Sequence, residues 1–225
     1  MKKHTPDELE QIQQAILERE IEEELQKERL MEFWKKYCYL IIGGVLAIIL
    51  TVVGTDAYHA WYKKVRLNES DRFEEAVVLN ATGKQTESLI ILENLSKTAK
   101  TDYKYLAQLK IAGIHLNDDK AKALEQLKTV FEDKDAPASL KAIATLSFVG
   151  HQIDDENKDA LINQLSPLLA LNSPYFAEAT ELKTALLLNQ NKKDEAKQTL
   201  TNAILNQNLT EPAKERLNSL LASIK

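Results

Sequence analysis

Cysteine is almost absent: Cys38 is the only one in 225 residues. A lone thiol excludes an intrachain disulfide, which fits a reducing compartment or a periplasmic domain that is stable without bridges. Histidine is scarce too. His4, His59, His115 and His151 include no pair three or four residues apart, and none lies beside a cysteine, which argues against a metal site. No glycine-rich phosphate loop and no G-x-S-x-G elbow occurs. Basic excess is lacking, with a net charge of −5 and a pI of about 5.5, so no counterion-displacing stripe is available for nucleic acid. Only six glycines and five prolines interrupt a chain rich in Leu, Ala, Lys and Glu. That composition predicts an all-α fold of helices joined by short turns. No residue pattern implies a cofactor or a catalytic group.

What is present is one long uncharged run, Tyr37 through Leu46 to Thr55. At about 1.5 Å per residue it spans roughly 28 Å as a helix, close to the hydrocarbon thickness of a bilayer. Ten of its residues are Leu, Ile or Val, and at about −0.3 to −0.6 kcal/mol each they favour insertion by about 3 to 6 kcal/mol. Phe33, Trp34, Tyr37 and Tyr39 crowd one end; Tyr58, Trp61 and Tyr62 crowd the other. Such rings prefer the headgroup level, while Lys35, Lys36, Lys63 and Lys64 reach the water just outside. Too many residues precede the run for a cleaved signal, and no small-x-small site follows it. The division that results is an acidic helical segment over 1–36, a transmembrane helix over 37–57 and a juxtamembrane linker over 58–67. A repeat domain fills 68–225.

The amino-terminal segment opens on Thr5-Pro6-Asp7-Glu8, a helix start with cap, first-turn proline and capping-box glutamate. Leu9, Ile12 and Ile16 make one apolar stripe; Leu17, Ile21 and Leu25 make a displaced second one, which disfavours a long regular coiled coil. The acidic run 18–24 reads as a solvated face or as a docking surface for a basic partner. Charge does not orient the span. Lys27, Arg29, Lys35 and Lys36 on one side balance Lys63, Lys64 and Arg66 on the other. Gly43 and Ala47 form a small-xxx-small pair through which two spans can pack as a homodimer.

Beyond residue 68 the pattern predicts four helix pairs: 69–82 with 85–99, 102–117 with 120–132, 138–150 with 157–171, and 174–190 with 193–207. A terminal helix covers 210–224. Gly83-Lys84, Asp118-Asp119, Asp154-Asp155 and Asn191-Lys192 separate the members, with the aspartates read as helix caps. Ser173-Pro174 reads as cap and first residue of its helix. The second helices share a register in which Ser88, Ala123, Leu161 and Ala196 are each followed four residues later by Leu92, Leu127, Leu165 and Leu200. Leu95, Val130, Leu168 and Ala203 continue the stripe. Small residues in the first helices, Ala76, Ala112 and Ala185, precede that register by eleven or twelve. Stacked helical hairpins are built this way, because one pair cannot bury its own apolar face.

Asp194-Glu195-Ala196, with Leu200 and Ala203, resembles the second helix of a tetratricopeptide repeat, and Ala123, Leu127 and Val130 resemble it less closely. The first-helix aromatic and glycine are largely missing, and Pro167 falls inside the second helix of the third pair. The layout as a whole resembles the ancillary subunit of the SecYEG translocon, a tetratricopeptide-like family of the bacterial inner membrane. The resemblance rests on Glu28-Arg29-Leu30, Phe33-Trp34-Lys35-Lys36-Tyr37, the span, Trp61-Tyr62 and the closing stretch from Ala177 to Ile224. It implies an amino terminus in the cytoplasm and repeats in the periplasm. It also implies association with Sec translocon subunits and with exported or periplasmic polypeptides, including chaperones.

The activity this predicts is protein binding, with lipid contacted through one span. Tyr103, Tyr105, Leu109, Tyr175 and Phe176 sit early in first helices, where they line a concave peptide-binding face or else pack between the hairpins. The alternative is a homo-oligomeric envelope scaffold that coordinates cell division or wall assembly.

Overall fold

The computed structural model describes residues 6–154 and 157–224, without the side chains of 6–18, 20–23 and 41. The Thr5 cap and most of the amino-terminal stripes therefore lie outside the described residues. Among the described residues every regular element is helical, nine α-helices and one 3-10 turn.

The first helix, α1, runs from Pro6 to Ala81 over 76 residues. The sequence reading divides this stretch into an acidic segment, a span, a linker and a first repeat helix. In the structure one helix carries all four, and residues 58–67 are helical. The cause is local: no proline follows Pro6 until Pro137, and no glycine lies between Gly54 and Gly83. Contacts divide the chain into two compact units, 1–63 and 64–225. In the first unit, α1 is long and apolar enough to cross a membrane, and none of its apolar stretch is buried within the protein. Its two threonine hydroxyls are satisfied inside the helix. Thr51 Oγ1 donates to Ala47 O and Thr55 Oγ1 to Val52 O, both at 2.8 Å, which lowers the cost of carrying them into hydrocarbon. Phe33 packs on Tyr37 at one end, and Tyr58 stacks on Tyr62 at the other.

The second unit holds the end of α1, then α2 (Gln85–Thr98), α3 (Tyr103–Asp118), α4 (Lys120–Glu132) and α5 (Ala138–Gly150). There follow α6 (Lys158–Leu165) with the 3-10 turn Ser166–Leu169, then α7 (Phe176–Asn189), α8 (Lys193–Ile204) and α9 (Glu211–Ser223). Successive helices pack on each other, and the first helices also form a row, α3 on α5, α5 on α7 and α7 on α9. This is the α-solenoid of helix pairs with a terminal capping helix that the sequence predicts.

The turns show how the sequence folds the chain back. Gly83 (φ 82°) and Asn191 (φ 59°) adopt the left-handed region that glycine and asparagine tolerate. Each closes a Schellman motif. Lys84 N–H donates to Leu79 O at 2.9 Å and Gly83 N–H to Asn80 O at 3.2 Å; Lys192 N–H donates to Leu187 O at 2.9 Å and Asn191 N–H to Leu188 O at 3.0 Å. Asp119 caps α4 as expected, its Oδ1 accepting from Lys122 N–H at 3.2 Å.

Three local expectations are corrected. Asp154 does not cap α6, whose N-cap is Asn157; its Oδ1 accepts from Asn189 Nδ2 at 3.0 Å and ties the turn to α7. The second helix of the third pair stops at Leu165 rather than near 171, because Pro167 has no N–H to continue the ladder. Finally, α7 begins at Phe176, not Pro174. Ser173 Oγ accepts from Tyr175 N–H and Ser173 O from Phe176 N–H, so 173–176 is a turn ahead of the helix.

The stripe predicted for the second helices is the core, except at Leu168, which is half-buried in the 3-10 turn. Ser88, Ala123, Leu161, Ala196, Leu92, Leu127, Leu165 and Leu200 are all buried. Of the small first-helix residues, Ala76 and Ala112 are buried, but Ala185 is only partly so. Thr184 takes its place, fully buried with its hydroxyl donating to Thr180 O at 2.8 Å. A methyl beside a satisfied hydroxyl lets threonine replace alanine at a close helix crossing.

Candidate functional site

The side of the solenoid formed by first helices holds an apolar groove between α5, α7 and α9, about 650 Å³ in volume. Its wall on α5 is Leu146 and on α9 Leu220; its floor is Leu182, Ala185 and Leu188 of α7. The α7 residues recur at helical spacing, so one face of that helix lines the groove while Thr180, Thr184 and Leu187 are buried elsewhere in the fold. Glu178, Glu181 and Arg216 form its polar rim. Arg216 Nε donates to Glu181 Oε1 at 3.0 Å and Nη2 to Glu178 Oε1 at 3.1 Å, joining α9 to α7. Glu181 first, then Glu178, pushes the basicity of the guanidinium above its ordinary value. A volume of this size lies within the range of ligand sites, and a leucine surface with few polar groups suits an apolar side chain more than a polar metabolite.

Two other hollows differ in character. One of about 390 Å³ between α2, α3 and α4 is lined by Glu93, Lys97, His115, Lys122 and Glu125 among others. One of about 380 Å³ near the end of α1 is lined by Asn80, Gln85, Lys110 and Asn117 with Leu109 and Gly113. Both are polar and carry opposite charges in balance. Among the described residues no cluster of three His, Cys, Asp or Glu side chains is placed to hold a metal.

The five residues singled out from the sequence do not form one surface. Tyr103 is half-buried, its ring 5.7 Å from that of Phe73 and its hydroxyl donating to Ser70 Oγ at 2.7 Å. Tyr105 is buried in the cluster with Leu127, Val130 and Ala144. Its hydroxyl donates to Asp133 Oδ2 at 3.2 Å, and Lys104 Nζ lies over its ring. Leu109 packs partly on the same cluster and borders the polar hollow at α3. Tyr175 donates to Ser139 O at 3.4 Å. Phe176 is buried against Leu200, Ala203 and Leu217. None of the five lines the α5–α7–α9 groove. The residues that do line it carry a readable signal, since Glu178, Glu181, Leu182, Ala185 and Leu188 are spaced 3, 1, 3 and 3 apart along α7.

A family profile described as a tetratricopeptide repeat-like domain matches residues 31–224. The chain belongs to the tetratricopeptide repeat-like family. No curated protein and no solved structure matches it. Tetratricopeptide repeat-like domains are, as a rule, non-catalytic modules that bind other proteins, and the groove of this one lies on the side where its first helices are adjacent. The matched range takes in the apolar stretch of α1 as well as the repeats.

Proposed function

We propose that the chain is a single-pass inner-membrane protein that holds a protein-binding surface at the membrane. In this reading residues 1–36 are cytoplasmic, residues 37–57 cross the bilayer and the repeats from residue 68 lie in the periplasm. There they contact Sec translocon subunits, exported polypeptides or periplasmic chaperones. The observation that carries it is the continuity of α1, which supplies both the apolar stretch and the first helix of the repeats. Anchoring one binding surface at the site of export raises its effective concentration for chains emerging there. The resemblance of Phe33-Trp34-Lys35-Lys36-Tyr37 and the closing repeat to the translocon's ancillary subunit supports the compartment and the partner class. Photocrosslinking from Leu188 and Leu220 in native membranes, together with protease accessibility in spheroplasts, tests it. Adducts to translocon subunits or exported chains, and digestion of the repeats from the outside, are the expected results. Digestion only after cytoplasmic exposure, or adducts to neither partner class, rejects it.

A second reading, a homo-oligomeric scaffold that coordinates cell division or wall assembly, draws on the span. Side chains placed at Gly43 would meet nothing within 4 Å, and Ala47 beside it is exposed. That leaves a flat face on which a second span can pack. Crosslinking of single cysteines introduced at 43 and 47, in a chain carrying Cys38→Ser, separates the two readings.

A further inference from the structure

From the rim of the α5–α7–α9 groove we infer that its occupant is an apolar polypeptide segment carrying a basic side chain. This rests on the protein-binding reading above and adds the chemistry of the bound segment. The floor and walls, Leu146, Leu182, Leu188 and Leu220, offer only hydrocarbon. The rim is unbalanced: two carboxylates share one guanidinium. Arg216 reaches Oε1 of Glu178 and Oε1 of Glu181. Among the described residues, no protein donor meets the second oxygen of either group, and both side chains remain a third to a half exposed to water.

An occupant that fills the leucine surface displaces that water. Carboxylate oxygens stripped of water without a new partner oppose binding. A lysine or arginine on the occupant supplies the missing donors and brings the rim to neutrality; an acidic group there adds a third negative charge and is repelled. A purely apolar segment lies between the two. The groove therefore selects by charge at its edge and takes its affinity from its floor, the division of labour that complementary interfaces show.

The test uses the full chain in lipid nanodiscs and three fluorescein-labelled nine-residue peptides of leucine and alanine. Their central residue is lysine, glutamine or glutamate, and binding is read by anisotropy. The lysine peptide is expected to bind at least about tenfold more tightly than the glutamate peptide, a difference of about 1.4 kcal/mol, and the preference is expected to shrink with added salt. Glu178→Gln with Glu181→Gln leaves Arg216 as the one charge on the rim, so the preference should reverse toward the glutamate peptide while the glutamine peptide still binds, which also reports that the variant is folded. Arg216→Gln, which frees both carboxylates, should sharpen the preference for lysine. Equal binding of all three peptides, or a preference unmoved by either variant, overturns the inference and leaves the interaction reading standing. Absence of binding by any peptide, with Leu188→Glu indistinguishable from the parent chain, rejects the groove as an interaction site. A concentration-dependent dimer abolished by Leu188→Glu would place a second copy there and also overturn the inference.

Discussion

Ser88 Oγ, on α2, donates a 2.7 Å hydrogen bond to the main-chain oxygen of Ala76 on α1. Both residues are fully buried, and the bond joins the two helices of the first pair. Ala76 O also has its place in the helical ladder, so removing the hydroxyl strands no acceptor. Ser88→Ala should therefore cost only about 1 kcal/mol. Ser88→Leu also removes the hydroxyl and in addition overfills the crossing, and about 1 to 3 kcal/mol is expected. Denaturant midpoints of the full chain in detergent check the order, with the leucine variant the weaker of the two.

Glu69 ties the end of α1 to the loop before α3. Its carboxylate accepts from the backbone N–H groups of Lys100 and Thr101 and from the Thr101 hydroxyl, in a site that is 8% exposed. Hydrogen bonds to a charged group contribute about 1.5 to 3 kcal/mol, and the donors left behind by its removal are poorly hydrated. Glu69→Ala is expected to destabilise by about 2 to 4 kcal/mol, more than Ser88→Ala. Hydrogen exchange at the Lys100 and Thr101 amides should accelerate ahead of the amides of α8, which lies in the fourth pair.

A pH response follows from Asp133, which ends α4. The N–H of Asp135 holds its carboxyl below the usual carboxylate range; burial opposes this, while Lys104 and the Tyr105 hydroxyl support it. Because the folded value is depressed, the contribution is present above the unfolded value of about 3.9 and is lost as pH falls through the folded one. Tyr105 has the opposite sense. Burial raises the phenol, with Lys104 opposing and Asp133 adding to the rise. Stability from its protonated form is thus complete below about pH 10 and lost as pH rises through the folded value. Asp133→Asn should flatten the acid limb of a melting-temperature profile, and Tyr105→Phe the alkaline limb. An unchanged acid limb in the Asn variant would be inconsistent with this assignment.

The turns and the second-helix stripe were legible in the sequence because each has a residue-level cause. Only glycine and asparagine sit comfortably at the φ of 82° and 59° found at Gly83 and Asn191, and buried leucines must recur at the helical period. The continuity of α1 was harder to see, since 58–67 contains no residue that compels either helix or linker. Thr184 is not legible as a core residue from sequence, because a hydroxyl reads as polar until its bond to Thr180 O is known. The aromatic candidates were found as residues but not as a surface. Position in a helix says that Tyr105 and Phe176 face a neighbour, and whether that neighbour is another helix or a ligand depends on how successive pairs stack. The groove on α7 needed that same information, since α5 and α9 make its walls.

Leu200 and Leu205 lie five residues apart at the end of α8, yet the first is wholly buried and the second 75% exposed. Leu200 occupies the register shared with Leu92, Leu127 and Leu165, all of them at most 2% exposed. Truncating a leucine in such a position removes its transfer free energy and leaves a cavity, about 2 to 5 kcal/mol. Leu205→Ala removes side chain that water already covers and should fall within about 0.5 kcal/mol of the parent. In a stacked array each repeat leans on its neighbours. The four equivalent Leu→Ala variants should therefore show losses of similar size, with Leu92 and Leu200, in the first and last pairs, the smaller because fewer neighbours depend on them. Equilibrium unfolding of the five variants in one detergent decides the matter. A Leu165→Ala chain as stable as Leu205→Ala would contradict the shared register at the pair that Pro167 interrupts, where the second helix is shortest.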